Sequence, residues 1–305
     1  MKDIAVRTVY PNLGFMSDNG TRTVIFTHGH FVESIYTLMS SLRKLLFPTS
    51  QTPTAIWDIE EENFAWIDFF WSTMGRSGAV GQDVERIYMM LLVPQMRNKL
   101  AYRLGELIAD ALMGHIHIPG AGGLLGLVVA HLLGHGGGLE KTRHEKPLSE
   151  DAERGLKAYV EGPLRKQFAS DKKTIPGQAT VIFGHTHKPF VQRMAFAGFP
   201  EQTAVFNTGG WVVDTEQVAS THGASIVVVD EDWNVAALRV YNEGDYAVKV
   251  ESSDTDPRSN DLYKQLSFHL AQHAGPWKSL STAIADTVNT YQENFRRRLR
   301  VLEGS

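Results

Sequence analysis

The sequence has no cysteine in 305 residues, which excludes disulfides and thiolate metal sites and fits a reducing compartment. It lacks a secretory pattern: after Met1 the run KDIAVRTVYPNLGFM has no basic segment leading into an apolar one. It also lacks the roughly 18 to 20 consecutive apolar residues that a membrane-spanning helix needs. The nearest run, AGGLLGLVVAHLLG over 121–134, is shorter and carries His131. That length suits a buried or interfacial helix, so peripheral lipid contact stays open while a span does not. Charge of one sign is scarce too. Lys and Arg number 30 against 34 Asp and Glu, a formal net charge of -4, which gives no reason to expect nucleic acid as a partner. The expected location is cytoplasmic.

What is present is enough apolar residue for a sizeable core, 43% of the chain, arranged as one large domain or two smaller ones. The pattern alternates between strands and helices. Asn19-Gly20 lies between two apolar runs and predicts a β-hairpin. Its second arm, Thr23 to Thr27, ends in His28-Gly29-His30. Val32, Ile35, Tyr36, Met39, Leu42 and Leu46 then recur at helical steps until Pro48. From about 56 to 168 the chain reads as helical, with a break at Pro94, a glycine-rich stretch over 120–138 and a helix start at Ser149. Strands resume at ATVIFG, TAVFNTGGWVV and a hairpin turning near Asp232 to Asn234. The tail from Asp261 is an amphipathic helix ending in Arg296, Arg297, Arg298 and Arg300, read as a solvated helix end.

The chemistry gathers at VIFGHTHKPF over 181–190. A core strand has no use for paired histidines at its end. In strand geometry residues i and i+2 share a face, so His185 and His187 would aim two imidazoles the same way. Paired neutral imidazoles suit a divalent cation. A second strand spelled Val-Ile-Phe ends in His28 and His30, which strengthens the metal reading. His115 and His117 repeat the spacing without a preceding strand and rank far lower. His131, His135, His144, His222, His269 and His273 are read as structural or exposed.

THGH over 27–30, GHTHKP over 184–189 and NTGGW over 207–211, in this order, resemble the C-terminal half of the calcineurin-like metallophosphoesterases. The resemblance implies an α/β fold: the second half of a phosphoesterase β-sandwich flanked by helices, with a large helical insertion and a C-terminal helical tail. The corresponding divisions are 1–50 with 176–250 for the sandwich half, 51–175 for the insertion and 251–305 for the C-terminal helices. The function it implies is hydrolysis of phosphate mono- or diesters at a dinuclear centre of manganese, iron or zinc. Carried over, His28 and His185 ligate one metal, His187 ligates the other, His30 faces the phosphate, and residues 207–211 form a structural turn beside them.

The departure matters as much. The family's D-x-H, G-D and G-N-H-D motifs are missing, and the single Gly-Asp, Gly244-Asp245, falls after GHTH. Three histidines bring no charge to offset two dications, whereas a two-metal site holds its ions about 3.5 to 4 Å apart. The expectation is therefore an N-terminally truncated form, or one half of a split enzyme. Alone it would hold one metal weakly, and it would need the missing half or a partner chain to complete the site. A metallo-β-lactamase reading wants H-x-H-x-D-H, whereas Phe31, Val32 and Glu33 follow His30. The non-enzymatic alternative is a catalytically inactive phosphoesterase-like interaction module. Trp57, Phe64, Trp66, Phe69, Phe70 and Trp71 are expected to form a helical core in the insertion. Together with the run over 121–134 they also allow a lid over an apolar phosphate.

Overall fold

Asn19 and Gly20 close the first element as their spacing predicts. β1 (Asn12–Met16) and β2 (Arg22–Thr27) pair antiparallel, from Asn12 opposite Thr27 to Met16 opposite Thr23. Gly20 takes φ +68°, a value glycine adopts without strain. Asn19 Oδ1 accepts hydrogen bonds from Thr21 N at 3.1 Å and Ser17 Oγ at 2.8 Å, fixing the loop. The computed structural model describes residues 8–32, 34–67, 94–113, 146–171, 173–211, 219, 221–241 and 246–303, with scattered positions over 123–130. It is a mixed α/β protein in two compact units: Met1–Gly29, His144–Pro147 and Phe168–Ser305 in the first, His30–Arg143 and Leu148–Gln167 in the second.

The second unit is helical. Two short 3-10 turns, His30–Val32 and Ser34–Thr37, lead into α1 (Leu38–Leu46), so the predicted helix starts later than its apolar periodicity suggests. Its N-terminus is capped from another helix. Thr37 offers no side-chain cap, and Asn63 Oδ1 accepts from the amides of Met39 at 3.0 Å and Ser40 at 3.3 Å instead. Asn63 belongs to α2 (Ile56–Ile67), whose Ile56 and Ile59 are buried. α3 is described over Pro94–Met113. α4 (Glu150–Tyr159) starts where expected, with Ser149 Oγ accepting from Ala152 N at 3.2 Å. A wide turn, Val160–Leu164, carries Pro163 and leads into α5 (Arg165–Ser170). Proline cannot supply the helical amide, and a π-turn absorbs that loss. α4 packs on the turn after His30: Phe31 and Tyr159 stack with centroids 3.7 Å apart, and a Cβ on Gly155 would sit 2.7 Å from Val32 O.

Two of the aromatics expected in a helical core are exposed instead. Trp57 and Phe64 are 63% and 62% exposed. Both lie on the side of α2 away from Ile56, Ile59 and Asn63, which fill its buried stripe. The side chain of Trp66 and residues Phe69, Phe70 and Trp71 lie outside the described residues, as do His115, His117, His131, His135 and His144.

The first unit is two sheets face to face. β3 (Gln178–Phe183) pairs parallel with β2 and with β5 (Thr203–Asn207), while β4 (Phe190–Met194) pairs antiparallel on β5, giving the order β1-β2-β3-β5-β4. β6 (Ala224–Val229), β7 (Val235–Tyr241) and β8 (Lys249–Glu251) form an antiparallel second sheet, β6 and β7 turning at the expected hairpin. Between the sheets Val24, Ile182, Ala204 and Phe206 meet Val235 and Ala237, with Phe26, Val227, Val229 and Trp233 at the margin. The tail forms α6 (Asp261–Gln272) and α7 (Ala274–Glu303). These helices cover the outer face of the second sheet through Leu266, Leu270, Trp277, Ile284 and Val288. Among the described residues no helix is long and apolar enough to cross a membrane.

One polar knot ties the tail to the sandwich. Asn260 Oδ1 caps α6 by accepting from Tyr263 N at 3.0 Å, and its Nδ2 donates to Val235 O at 3.1 Å and Asp254 Oδ2 at 2.8 Å. Burial pushes the Asp254 carboxyl up, but hydrogen bonds from Asn260 and Ser252 and the nearby Arg193 guanidinium outweigh it and hold the group below its ordinary range. A depressed folded-state pKa adds stability above the unfolded value, about 3.9, and that contribution is lost as pH falls through the folded value. In urea titrations Asn260→Ala should lower stability by about 1 to 2 kcal/mol. Asp254→Asn should flatten the loss of stability below about pH 4; an unchanged acid slope would contradict this role.

Candidate functional site

The parallel register brings the three motifs to one edge. Phe26 sits opposite Ile182, and Phe183 opposite Asn207. His28, Gly184-His185 and Thr208-Gly209-Gly210 therefore leave three neighbouring strands at the same end. Gly184 N donates to His28 O at 3.2 Å, and Thr208 N to Phe183 O at 2.8 Å, extending the ladder past the strand ends.

The chain then has to cross. β4 lies on the far side of β5 from β3, so residues 184–189 pass over the end of β5. A Cβ on Gly210 would stand 2.5 Å from His187 Cγ, and one on Gly209 2.6 Å from Pro189 Cδ. Only glycine lets the loop come this close. Asn207, 1% exposed, fastens the crossing: its Nδ2 donates to Thr186 Oγ1 at 2.7 Å, and its Oδ1 accepts from Gly209 N at 2.7 Å. Lys188, fully buried, donates from Nζ to Lys146 O at 3.0 Å.

This crossing corrects one expectation. β3 ends at Phe183, and His185 and His187 are not in strand geometry; they take φ +68° and +59°. Thr186 N donates to Gly184 O at 2.8 Å, closing a γ-turn around His185. Such turns with positive φ are rare and strained. Among the described non-glycine residues the positive-φ positions are His185, His187, Trp233 and Tyr246, so half of this strain sits on the two histidines. Strain of this kind amounts to about 1 to 3 kcal/mol per residue and persists where the surroundings enforce it.

The rings of His28 and His185 lie with centroids 5.0 Å apart, tilted 67°. Two imidazoles sharing one tetrahedral ion, bonded at about 2.0 to 2.1 Å, place their ring centres about 5 Å apart. The separation of the pair matches that spacing. His28 is exposed and His185 half-buried, so the edge is open to water and ligand. His187 packs on Gly210. Among the described residues no group of three or more His, Asp or Glu side chains could hold an ion together. A two-ion centre needs a shared anionic ligand, and these residues do not fit one.

His30 has a different setting. It is 3% exposed within the helical unit, its Nε2 lies 3.2 Å from Glu60 Oε1, and Tyr36 donates to the same oxygen at 2.6 Å. The ring also packs edge-on to Tyr36 at 4.6 Å. Its Nε2 is thus engaged by a carboxylate thirty residues away, a partner that no local spacing announces. His222 is buried, with Nδ1 accepting from Ala219 N at 3.0 Å; His269 and His273 are exposed. Sequence reasoning missed Thr186 and Lys188 as anchors of the crossing. The available signal was that both are polar residues held between two apolar strands.

No family model matches the sequence, no curated protein is similar to it, and no solved structure is similar to the fold.

The strain at His185 yields a stability test. Asn tolerates the left-handed region, whereas a β-branched residue does not. His185→Asn should unfold within about 1 kcal/mol of the parent, and His185→Val about 1 to 3 kcal/mol below it. Equal stabilities in chemical denaturation would mean that the γ-turn is not enforced.

Proposed function

We propose that this chain is the histidine-bearing half of a metal-dependent phosphoesterase that hydrolyses phosphate mono- or diesters, its carboxylate ligands supplied by polypeptide outside these 305 residues. One observation carries the reading: HGH, GHTH and NTGGW follow β2, β3 and β5, three adjacent parallel strands, and so meet at one sheet edge. The carboxyl ends of parallel strands are where open α/β sheets bind ligands. The spacing of His28 and His185 adds to it, because 5.0 Å between centroids suits one shared ion.

A divalent ion held there would supply Lewis acidity towards a phosphoryl oxygen and acidify a water molecule. The protein's own contributions are positional. His28 and His185 bind as neutral imidazoles. The γ-turn fixes the direction of His185, and Asn207 fixes the γ-turn through Thr186. Gly209 and Gly210 let His187 and Pro189 close down on the β5 end. None of these residues is asked to be a nucleophile.

The longest in-frame polypeptide containing this chain, loaded with Mn2+, should hydrolyse bis(p-nitrophenyl) phosphate. His28→Ala and His185→Ala should each lower kcat/KM by about 100-fold or more, since each removes a ligand. His222→Ala should not. Absence of hydrolysis, or activity indifferent to His28 and His185, would leave the fold as a catalytically silent interaction module.

A further inference from the structure

We infer a second, independent metal-binding site on the tail, where His269 and His273 chelate a divalent transition-metal ion of the copper or nickel type. His269 lies in α6 and His273 is its C-cap residue. Residues at i and i+4 are neighbours on one helix face. Two helical hydrogen bonds flank the position, His273 N donating to His269 O at 3.0 Å and Trp277 N to His273 O at 3.2 Å, although His273 itself leaves helical geometry at φ -113° and ψ 36°. The two rings therefore project together, their centroids 4.5 Å apart.

That distance matches one coordination geometry. Imidazoles in cis positions at right angles on one ion, bonded at about 2.0 to 2.1 Å, have centroids about 4.5 Å apart. This is shorter than the tetrahedral spacing that His28 and His185 match. Tetragonal nitrogen sites suit Cu2+ and Ni2+, and Cu2+ binds most tightly among divalent first-row ions. Both histidines are exposed, and among the described residues neither ring takes part in a hydrogen bond or ion pair that binding would have to break. Water fills the remaining coordination positions. Trp277 closes the stripe, its ring 6.2 Å from that of His269, close enough for a bound Cu2+ ion to quench its fluorescence.

The site spans the junction between α6 and α7. It does not rest on the phosphoesterase reading. It does predict that metal uptake by this protein contains a component unrelated to the sheet edge.

The test is a CuSO4 titration of the full chain, read by tryptophan fluorescence and by the nitrogen hyperfine pattern in electron paramagnetic resonance. The parent chain should show partial quenching and two coupled imidazole nitrogens. His269→Gln or His273→Gln should each weaken this component about tenfold or more, because the second ligand acts at high effective concentration. The double variant A271H/H273Q keeps two histidines but places them at i and i+2, which do not face each other, and should bind like H273Q. Circular dichroism should stay unchanged for all, since these side chains are exposed. Equal quenching and equal isotherms for the parent and H269Q/H273Q would overturn the inference, as would A271H/H273Q binding as tightly as the parent.

Discussion

A single crossing organises the edge of this sandwich. Strands β3 and β4 are consecutive in the chain but separated in the sheet by β5, so residues 184–189 have to bridge two strand spacings, about 10 Å. They do it while lying on the end of β5. The side chains of Pro189 and His187 press on the chain below and leave no room for a Cβ there, which calls for glycine at 209 and 210. The turn is tight enough to drive His185 and His187 to positive φ. Asn207, buried at the last position of β5, links the crossing loop to the chain beneath it, donating to Thr186 and accepting from Gly209 N. Histidine direction, glycine placement and asparagine burial are thus consequences of one topological demand.

The same demand separates histidines that look alike in the sequence. His28 and His30 are two residues apart, as are His185 and His187. Yet His28 and His185 meet as rings, His187 lies on Gly210, and His30 is bonded to Glu60 inside the helical unit. His28 directly follows β2, and the γ-turn after β3 brings the ring of His185 against it. His30 and His187 lie two residues further along, in a 3-10 turn and at a second positive φ. H-x-H spacing alone treats all four as equivalent, whereas the fold brings the rings of His28 and His185 into contact and gives His30 to Glu60.

Much of the framework was legible because it rests on local rules. The Asn19-Gly20 hairpin, the Ser149 cap, the hairpin near Asp232 and the amphipathic tail each depend on a few adjacent residues. The motifs do lie at strand ends, and their order matches the strands that carry them. The conformation of the histidines was not legible, because strand order in the sheet is a long-range property and β5 lies beyond the loop in sequence. The cap on α1 failed for the same reason: Asn63 replaces the local Thr37 from another helix. Trp57 and Phe64 misled because aromatic content says how much can be buried, not which face of α2 turns inward.

The pairing of His28 with His185 around one ion, as proposed above, is open to long-range nitrogen-proton NMR of histidine side chains during a Zn2+ titration, in the H269Q/H273Q background so that the tail histidines do not compete. The ring nitrogens of His28 and His185 should shift together and saturate at one ion per chain, while those of His222 and His30 stay still. Shifts at neither residue, or at only one of them, would contradict it.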